Sequence, residues 1–435
     1  MAKFLSFLGT GSYEECCYSY NGYVSLHSNY IQICILDILK NNLGKEIDEI
    51  IIFLTKEAED RNYLSNAKNP SKPGLKEQLE KYIQNNRINL KITPVTNVPN
   101  GNTEEEMWEI FEILMENIKE NDEIYFDITH SFRFLPMLAF ITLNYSRYIK
   151  NTHVAGVFYG SIESFCQEKG ISIREIEKIP IEERIAPIIN LTNFIELFDW
   201  VIGIKEFMTS LNYSMLDQLS KKGVKNLNKE AKEKTEFIIN SELRNLNDSI
   251  KNLSENILLC RGLNLIDSYK KLKKNLNDIG EKNTTKKSLK PFKYVIGKLN
   301  NMIDCEESDI KNYLNIVELC CNNNLIQQGL TILEESLITY VLEKMNMDII
   351  DLNNRKIPTS IYNKLTNNKL EKNDLIFVEK LGEEIFSLIY SIAGIRNDIN
   401  HCGFRCSAAN SQKLKNNLRE FLNHAKEIIE KIESK

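Results

Sequence analysis

The sequence lacks the features of secreted proteins, of membrane proteins and of proteins that coat nucleic acids. Its ten cysteines include no CxxC pair, which argues for reduced cytosolic thiols over a disulfide framework. No apolar run approaches the roughly 18 residues of a membrane-spanning helix, and the start, MAKFLSFLGTGSY, lacks a signal-peptide pattern. The formal net charge of −5 argues against nonspecific binding to nucleic acid. We therefore expect a cytoplasmic protein without a membrane anchor.

The first half of the chain alternates apolar runs with stretches of helical periodicity. Strands buried on both faces are continuously apolar, so this alternation predicts a Rossmann-like α/β fold, a doubly wound parallel sheet with helices on both faces. The predicted strands are KFLSFLG (3–9), DEIIIFLT (48–55), NLKITPVT (89–96), DEIYFDIT (122–129) and THVAGVFYG (152–160). The predicted helices between them are 30–41, 74–85, 104–119 and 135–148.

From about residue 188 the pattern changes, because proline and glycine become sparse and no strand is predicted. The second half should be an all-α bundle. Its predicted helices are 191–211, 229–260, 263–276, 291–302, 308–322, 325–345, 374–399 and 411–432. The stretch 277–288, rich in Lys, Asn and Thr, is the predicted exposed loop.

Two polar loops follow the first and fourth predicted strands, GTGSY (9–13) and DITHSFR (127–133). In a doubly wound sheet, ligands bind beyond the carboxyl ends of the strands where the strand order reverses, which in the common order lies between these two strands. Small residues let a ligand approach the backbone, and amide, hydroxyl, imidazole and guanidinium donors suit phosphate and ribose. The alternative is that Thr10 and Ser131 only cap helices while Arg133 pairs with a carboxylate.

An NAD site is the obvious alternative, but the loop sequences disfavour it. GTGSYEE departs from GxGxxG, and the second strand ends in FLT without a clear acidic residue. Thr55, Ala58 and Glu59 lie at that strand end and are further candidates for the pocket.

LGTGSY, FLTKEA, YFDITHSFRFLPM and VFYGSIE resemble successive signatures of the CRISPR-associated Rossmann-fold (CARF) domain, over about residues 1–165. The resemblance implies a sensor of cyclic oligoadenylates, with the cyclic tetra-adenylate favoured over the hexa-adenylate, whose pocket is completed across the two-fold axis of a homodimer. It also leaves open a ring-nuclease activity in which the sensor degrades its ligand. The implied ligand-binding residues are Thr10, Gly11, Ser12, Tyr13, Thr129, His130, Ser131 and Arg133, and Thr55 joins the predicted pocket from its position at the end of the second strand.

Near the end of the chain, IRNDINHCGF (395–404) places an Arg and a His among poor helix formers. A simple helix ending explains them too, since cations suit the last turn and Gly403 suits the position beyond it. The stretch also resembles the Arg-x4-6-His motif of HEPN ribonucleases, the usual partner of the CARF domain. The implied catalytic residues are Arg396, His401 and Asn397, and the implied domains are CARF (1–187), a helical connecting region (188–300) and HEPN (301–435).

The chemistry of RNA cleavage suits this pair. RNA carries its own nucleophile, the 2′-OH, so cleavage needs no metal. A histidine can move the proton or protonate the leaving 5′ oxygen, and an arginine can hold the scissile phosphate. On an ideal helix, however, Arg396 and His401 are separated by about 140°. Either the helix end distorts, which Asn400 and Gly403 would permit, or two protomers form a composite site with two Arg and two His.

Other conspicuous residues receive structural interpretations. A zinc site at His401, Cys402 and Cys406 lacks a second pair of ligands, so no metal is expected. Glu334 and Glu335 are interpreted as solvated charges, although they could instead orient the catalytic Arg. We assign structural roles to His27, His153 and His424, packing roles to Cys16, Cys17, Cys320 and Cys321, and core positions to Trp108, Trp200, Leu325, Leu330, Leu333, Leu337 and Tyr340.

The sequence thus predicts a homodimeric CARF–HEPN endoribonuclease of type III CRISPR defence. It should cleave single-stranded RNA without metal or cofactor when a cyclic oligoadenylate binds, and it should not associate stably with the CRISPR effector complex. The alternative is a ligand-responsive transcription factor, although the second half shows no basic recognition helix.

Overall fold

The computed structural model describes residues 1–130, 134–219, 221, 234–282, 290–404 and 408–434. The chain forms two compact units, Met1–Glu196 and Leu197–Lys435. The finer division into 1–187, 188–300 and 301–435 stays a prediction. Three residues singled out from the sequence, Ser131, Arg133 and Cys406, lie outside the described residues.

The first unit contains an eight-stranded sheet with the order β3-β2-β8-β7-β6-β1-β4-β5. The five strands from β7 to β5 run parallel, β8 pairs antiparallel with β7, and β2 pairs parallel with β8 and antiparallel with β3. Because β1 lies between β4 and β6, the predicted doubly wound sheet and its switch point are confirmed. The strands are β1 (Ala2–Leu8), β2 (Cys17–Tyr20), β3 (Tyr23–Val24), β4 (Glu49–Leu54), β5 (Lys91–Val95), β6 (Glu123–Asp127), β7 (His153–Gly160) and β8 (Ile185–Asn190).

Alternate residues of the central strands enter two separate hydrophobic cores. Phe4 of β1 and Ile50 of β4 belong to one core, whereas their neighbours Leu5 and Ile51 belong to the other. All four side chains are at most 1% exposed. The central strands are apolar throughout because helices cover both faces of the sheet.

The four helices predicted in this unit are present. The helices are α1 (Ile31–Asn41), the single turn α2 (Lys56–Ala58), α3 (Leu75–Asn86), α4 (Glu104–Asn117), α5 (Leu135–Ile149) and α6 (Ile162–Lys169). Strands β2, β3 and β8 were not predicted from the sequence. The first two have four and two residues, and Pro187 lies inside β8, where proline usually argues against a strand.

The second unit is helical throughout its described residues, as predicted. A continuous core runs through it, and Trp200 packs against this core while partly buried. Its helices are α7 (Thr192–Ser210), which begins in the first unit, α8 (Lys234–Leu258), α9 (Gly262–Lys282), α10 (Lys290–Met302), α11 (Asp309–Asn322), α12 (Ile326–Lys344), α13 (Leu352–Thr366), α14 (Lys372–Leu381), α15 (Glu383–Asn400) and α16 (Ser411–Glu433), with a further helical stretch at 214–219.

The helical unit differs from the sequence prediction at three places. The single helix expected at 374–399 is two helices, because Gly382 adopts a φ of 81° between them. Helix α13 was missed because it contains Pro358, a residue that usually ends helices. The loop expected at 277–288 is helical to Lys282, and 283–288 lie outside the described residues.

Candidate functional site

The loops after β1 and β6 meet through two rings. The Tyr13 ring stacks on the His130 ring, with 4.0 Å between the ring centroids and 26° between the planes. Thr10 is partly buried, whereas Gly11 and Ser12 are exposed. The structure therefore brings the two predicted ligand loops together at the switch point and leaves Gly11 and Ser12 open to solvent.

Two buried asparagines hold the backbone of the loop at 9–13. Asn29 donates from Nδ2 to the Tyr13 carbonyl at 3.0 Å. Asn62 donates from Nδ2 to the carbonyls of Gly9 and Gly11, both at 2.9 Å. The exposed fractions of Asn29 and Asn62 are only 9% and 1%. Sequence analysis named neither residue as part of the site.

A buried hydrogen-bond network fixes the start of the loop after β6. The Thr129 hydroxyl donates to Asp127 Oδ1 at 2.6 Å and accepts from the Gly160 amide at 2.8 Å. Ser6 donates to the other Asp127 oxygen at 2.7 Å, and Gln32 donates to Ser6 at 3.0 Å. Thr129 thus shapes the loop through its hydroxyl, and direct contact with a ligand stays a prediction.

Burial determines the protonation states of the His130 and Tyr13 side chains in these two loops. It lowers the pKa of His130 to about 4, so the imidazole is neutral at pH 7. It also raises the pKa of Tyr13 well above its ordinary value, which keeps the phenol protonated. Neither ring supplies a positive charge to a phosphate. Arg133, predicted for that role from the sequence, lies outside the described residues.

Thr55 has a local structural task at the end of β4. Its hydroxyl accepts a hydrogen bond from the Ala58 amide at 3.2 Å and so caps the turn α2. The side chain is buried, with 7% exposure. A ligand that contacted the Thr55 hydroxyl would therefore have to share it with, or displace, the Ala58 amide.

In the second unit, Arg396 of α15 faces two glutamates of α12. Its Nη1 atom lies 3.1 Å from Glu334 Oε2 and 3.5 Å from Glu335 Oε1. Glu334 is only 4% exposed, so the interpretation of this residue as a solvated charge was wrong. The alternative interpretation, that the two glutamates hold the arginine, agrees with the contacts.

Arg396, Arg355, Glu334 and Glu335 form a group of four side chains whose charges sum to zero when both glutamates are ionised. Glu335, which is 42% exposed, also pairs with Arg355 at 2.5 Å. Arg355 is fixed in turn by the Ile349 carbonyl at 2.8 Å and the Thr339 hydroxyl at 3.1 Å. Burial raises the pKa of Glu334 to about 7, with Arg396 acting in the opposite direction. The charge of this group therefore changes near neutral pH.

His401 lies at the exposed end of α15, one residue beyond its last helical residue. The His401 amide donates to the Asn397 carbonyl at 3.0 Å, so the helix stays regular from Arg396 to His401. The chain turns only afterwards, at Cys402 (φ 53°) and Gly403 (φ 71°). Because the backbone is helical up to Asn400, the angular separation of about 140° expected from ideal helix geometry still applies to Arg396 and His401.

Asn397, the third predicted catalytic residue, is exposed on the same turn. The intervening Asp398 is 2% exposed and accepts from the Ala409 amide at 2.9 Å, which ties the end of α15 to the following loop. The exposed end of α15 thus presents Asn397 and His401, while Arg396 is held against α12.

The remaining sequence assignments have mixed outcomes. The expected core position of Trp108 was wrong, because this side chain is 61% exposed. His27 has a partner that the sequence did not suggest, with Nδ1 3.1 Å from Cys17 Sγ. Among the described residues, no cluster of metal-ligating side chains occurs, and no helix is long and apolar enough to cross a membrane. Residues confirmed as buried or packed on a core are Cys16, Cys17, Cys320, Cys321, Leu325, Leu330, Leu333, Leu337 and Tyr340.

Comparison with known proteins places the loops at 9–13 and 127–133 inside a recognised domain. Residues 3–163 match the family described as the CARF domain of the CRISPR system endoribonuclease Csx1. The chain is also 27% identical over 286 residues to the CRISPR-associated protein MJ1674 of Methanocaldococcus jannaschii. These matches support a CRISPR-associated protein that contains a CARF domain. The second alignment covers 62% of this chain and 37% of the relative, so the chain spans little more than a third of the relative's length.

The CARF match covers the two polar loops but not the helical unit. It includes β1 and β6 with both polar loops and ends within α6. Arg396, Asn397 and His401 lie far beyond it, so the helical unit has to be interpreted from its own residues.

Proposed function

We propose that this protein is a cytoplasmic endoribonuclease of type III CRISPR defence that cleaves single-stranded RNA when a cyclic oligoadenylate binds its CARF domain. The observation that carries the proposal is the combination, in one chain, of a CARF match that includes both polar loops with an Arg-x4-His motif at an exposed helix end. The endoribonuclease in the name of the matching family supports the same activity.

The sensor half of the proposal rests on the switch point between β1 and β6. Exposed Gly11 and Ser12 offer backbone and hydroxyl groups to a ligand, and the Tyr13–His130 pair offers an aromatic surface beside them. A neutral histidine and a protonated tyrosine suit a nucleotide's base or ribose better than its phosphates. Arg133 then supplies the positive charge for the phosphodiester. Cyclic tetra-adenylate remains our first candidate for the activator.

The nuclease half rests on Arg396 and His401. An exposed histidine can take the proton of the attacking 2′-OH as a general base, or it can give a proton to the leaving 5′ oxygen as a general acid. Arg396, held by Glu334 and Glu335, can stabilise negative charge on the scissile phosphate. Because the helix is regular between the two residues, we propose a composite site to which two protomers contribute. No metal or cofactor takes part in this scheme.

A second copy of the chain also fits an apolar surface of the CARF unit. Helices α4 and α5 expose large hydrophobic side chains that a solitary domain would normally bury. Trp108, Phe111 and Tyr145 form a chain of edge-on ring contacts across the two helices at 5.9 and 5.4 Å. The exposed members are Trp108 (61%), Met137 (71%), Ile141 (47%), Tyr145 (48%), Tyr148 (72%) and Ile149 (59%). We propose that this surface forms the homodimer.

The dimer surface can be tested directly by light scattering after size-exclusion chromatography. Met137→Glu and Tyr148→Glu should each yield a monomer, because a charge would be buried at the interface. Val24→Glu is a matched control, since Val24 is also exposed, at 44%, but lies on the edge strand β3. A dimer that survives both substitutions on α5 would remove this surface from the proposal.

A ribonuclease assay with a panel of ligands tests the function. Labelled single-stranded RNA is incubated with the protein and with synthetic cyclic oligoadenylates of three to six units in turn, and cleavage should depend on one ring size. The transcription-factor alternative instead expects no cleavage at any ring size and a ligand-dependent shift of duplex DNA.

A further inference from the structure

Asn62 lies in a single π-helical turn, Glu59–Tyr63, immediately after α2. Both N–H groups of its side-chain amide face the loop at 9–13, where they meet the carbonyls of Gly9 and Gly11 at 2.9 Å. With 1% exposure, the amide is shielded from water, so these bonds have no solvent competitor. Its oxygen faces the Ala67 amide at 3.4 Å.

The two hydrogen bonds from Asn62 to the carbonyls of Gly9 and Gly11 also determine where the next amides, those of Thr10 and Ser12, point. The chain contains no cis peptide bond among its described residues, and in a trans peptide the N–H is directed opposite to the preceding carbonyl. When the carbonyls of Gly9 and Gly11 face Asn62, the amides of Thr10 and Ser12 face away from it.

We propose that Asn62 is a positioning residue for the activator: it holds the loop at 9–13 so that the backbone amides of Thr10 and Ser12 together bind a phosphodiester of the ligand. Two N–H groups presented side by side form a concave site for an anion. The proposal rests on the proposed activation by a cyclic oligoadenylate and adds a residue to its binding site that touches the loop and not the ligand.

The side-chain chemistry explains why asparagine stands at position 62. A carboxylate of the same shape would place negative charge against two carbonyl oxygens in a buried site, and an apolar side chain would leave both carbonyls without a partner. A Cβ atom at Gly9 would lie 2.6 Å from the Tyr13 hydroxyl oxygen, so a larger residue there would displace the Tyr13 side chain. Asn62 and Gly9 therefore both favour the same conformation of the loop at 9–13.

The test compares Asn62→Ala and Asn62→Asp with Arg61→Ala. Arg61 is the neighbouring residue, and its side chain makes only an exposed ion pair with Glu57 at 3.0 Å, so it controls for changes in this segment. Loss of two buried hydrogen bonds should raise the half-activating concentration of cyclic oligoadenylate at least about tenfold in Asn62→Ala, and more in Asn62→Asp. The maximal ribonuclease rate at saturating activator should stay unchanged, as should both quantities in Arg61→Ala.

Two further measurements separate the possible failures. Without ligand, hydrogen exchange of residues 9–13 should be faster in Asn62→Ala than in wild type. If the alanine variant does not fold, Asn62→Ser replaces it. Serine keeps one small donor, so its activation constant should rise above that of wild type by less than the increase expected for alanine. A wild-type protein that no ring activates would overturn the proposed function. An activated wild type with an unchanged activation constant in Asn62→Ala, or with a reduced maximal rate alone, would overturn only the role of Asn62.

Discussion

The two candidate sites differ in how completely one chain assembles them. At the CARF loops, side chains that look available in sequence are already bonded within the chain: Thr129 to Asp127 and Gly160, and Thr55 to α2. At the end of α15, Arg396 is held by Glu334, but His401 is exposed. The CARF loops are thus held by bonds within the chain, whereas His401, one member of the proposed nuclease pair, is exposed to solvent.

Under the proposed function, this difference would give the ligand and the second protomer different tasks. A preformed loop loses little conformational entropy when a ligand binds, which favours affinity. A divided Arg–His pair has low activity until another element completes it, which favours regulation. The account therefore expects substitutions in the CARF loops to change the activator concentration and substitutions at the end of α15 to change the rate.

The largest effect is expected from His401→Ala. General acid–base catalysis typically contributes about 100- to 10,000-fold, so ribonuclease activity at saturating activator should fall by that factor. If His401 only ends a helix, the variant should lose at most about 2 kcal/mol of stability and no activity. His424→Ala, at another exposed histidine of the helical unit, is the control for both measurements.

The next effect concerns the pH dependence of stability through Glu334. Its pKa rises from an ordinary 4.5 to about 7 in the folded protein, where it faces Arg396 and Glu335. The folded state therefore binds the proton more tightly, and stability should fall as pH rises from 4.5 to 7, by up to about 3 kcal/mol. Denaturant unfolding should show this decline in wild type and not in Glu334→Gln. Parallel curves for the two proteins would contradict the burial of this carboxyl.

The matched control for that experiment is Glu318→Gln. Glu318 carries a similar ion pair, with Lys426 at 2.6 Å, but its side chain is 49% exposed. Its replacement should leave the difference between low and high pH as in wild type. Comparing the two variants separates the effect of burying a carboxyl group from the effect of removing any one carboxyl group.

A smaller change is expected from Thr129→Val, which keeps the shape of the side chain and removes its hydroxyl. Loss of the link between Asp127 and the Gly160 amide should raise the half-activating ligand concentration by about tenfold without reducing the maximal rate. Arg133→Ala should act in the same direction through the phosphate. Thr142→Val is the control, since the Thr142 hydroxyl is buried and donates a hydrogen bond, to the Leu138 carbonyl on α5, away from the loops. Normal activation of both loop variants would remove the pocket assignment.

The smallest effect tests the composite site. Dimers that contain one intact chain and one Arg396→Ala/His401→Ala chain should show well under half of the wild-type activity, because each complete site needs residues from both protomers. Mixed dimers with half or more of the activity would mean that each protomer works alone. The end of α15 would then have to depart from its regular geometry during catalysis.

The central sheet and both loops could be predicted because burial on two faces forces long apolar runs, and polar residues at their ends are then conspicuous. The short strand β2 gives no such run. Asn62 could not be recognised, since an asparagine among charged residues normally indicates a solvated surface. Glu334 did carry a signal: it lies four residues from both Leu330 and Ile338, within the buried stripe of α12. Trp108 misled because it lies on the exposed apolar surface of α4 and α5, which we propose a second protomer covers.

The most direct test of the account is ribonuclease activity of the wild-type protein in excess EDTA, with cyclic tetra-adenylate titrated into labelled single-stranded RNA. The account predicts that activity appears with the activator, persists in EDTA and leaves fragments with a 2′,3′-cyclic phosphate and a 5′-hydroxyl. Activity that disappears in EDTA and returns with magnesium or manganese would contradict the Arg396–His401 mechanism. Absence of cleavage with cyclic oligoadenylates of every size from three to six units would contradict the proposed function itself.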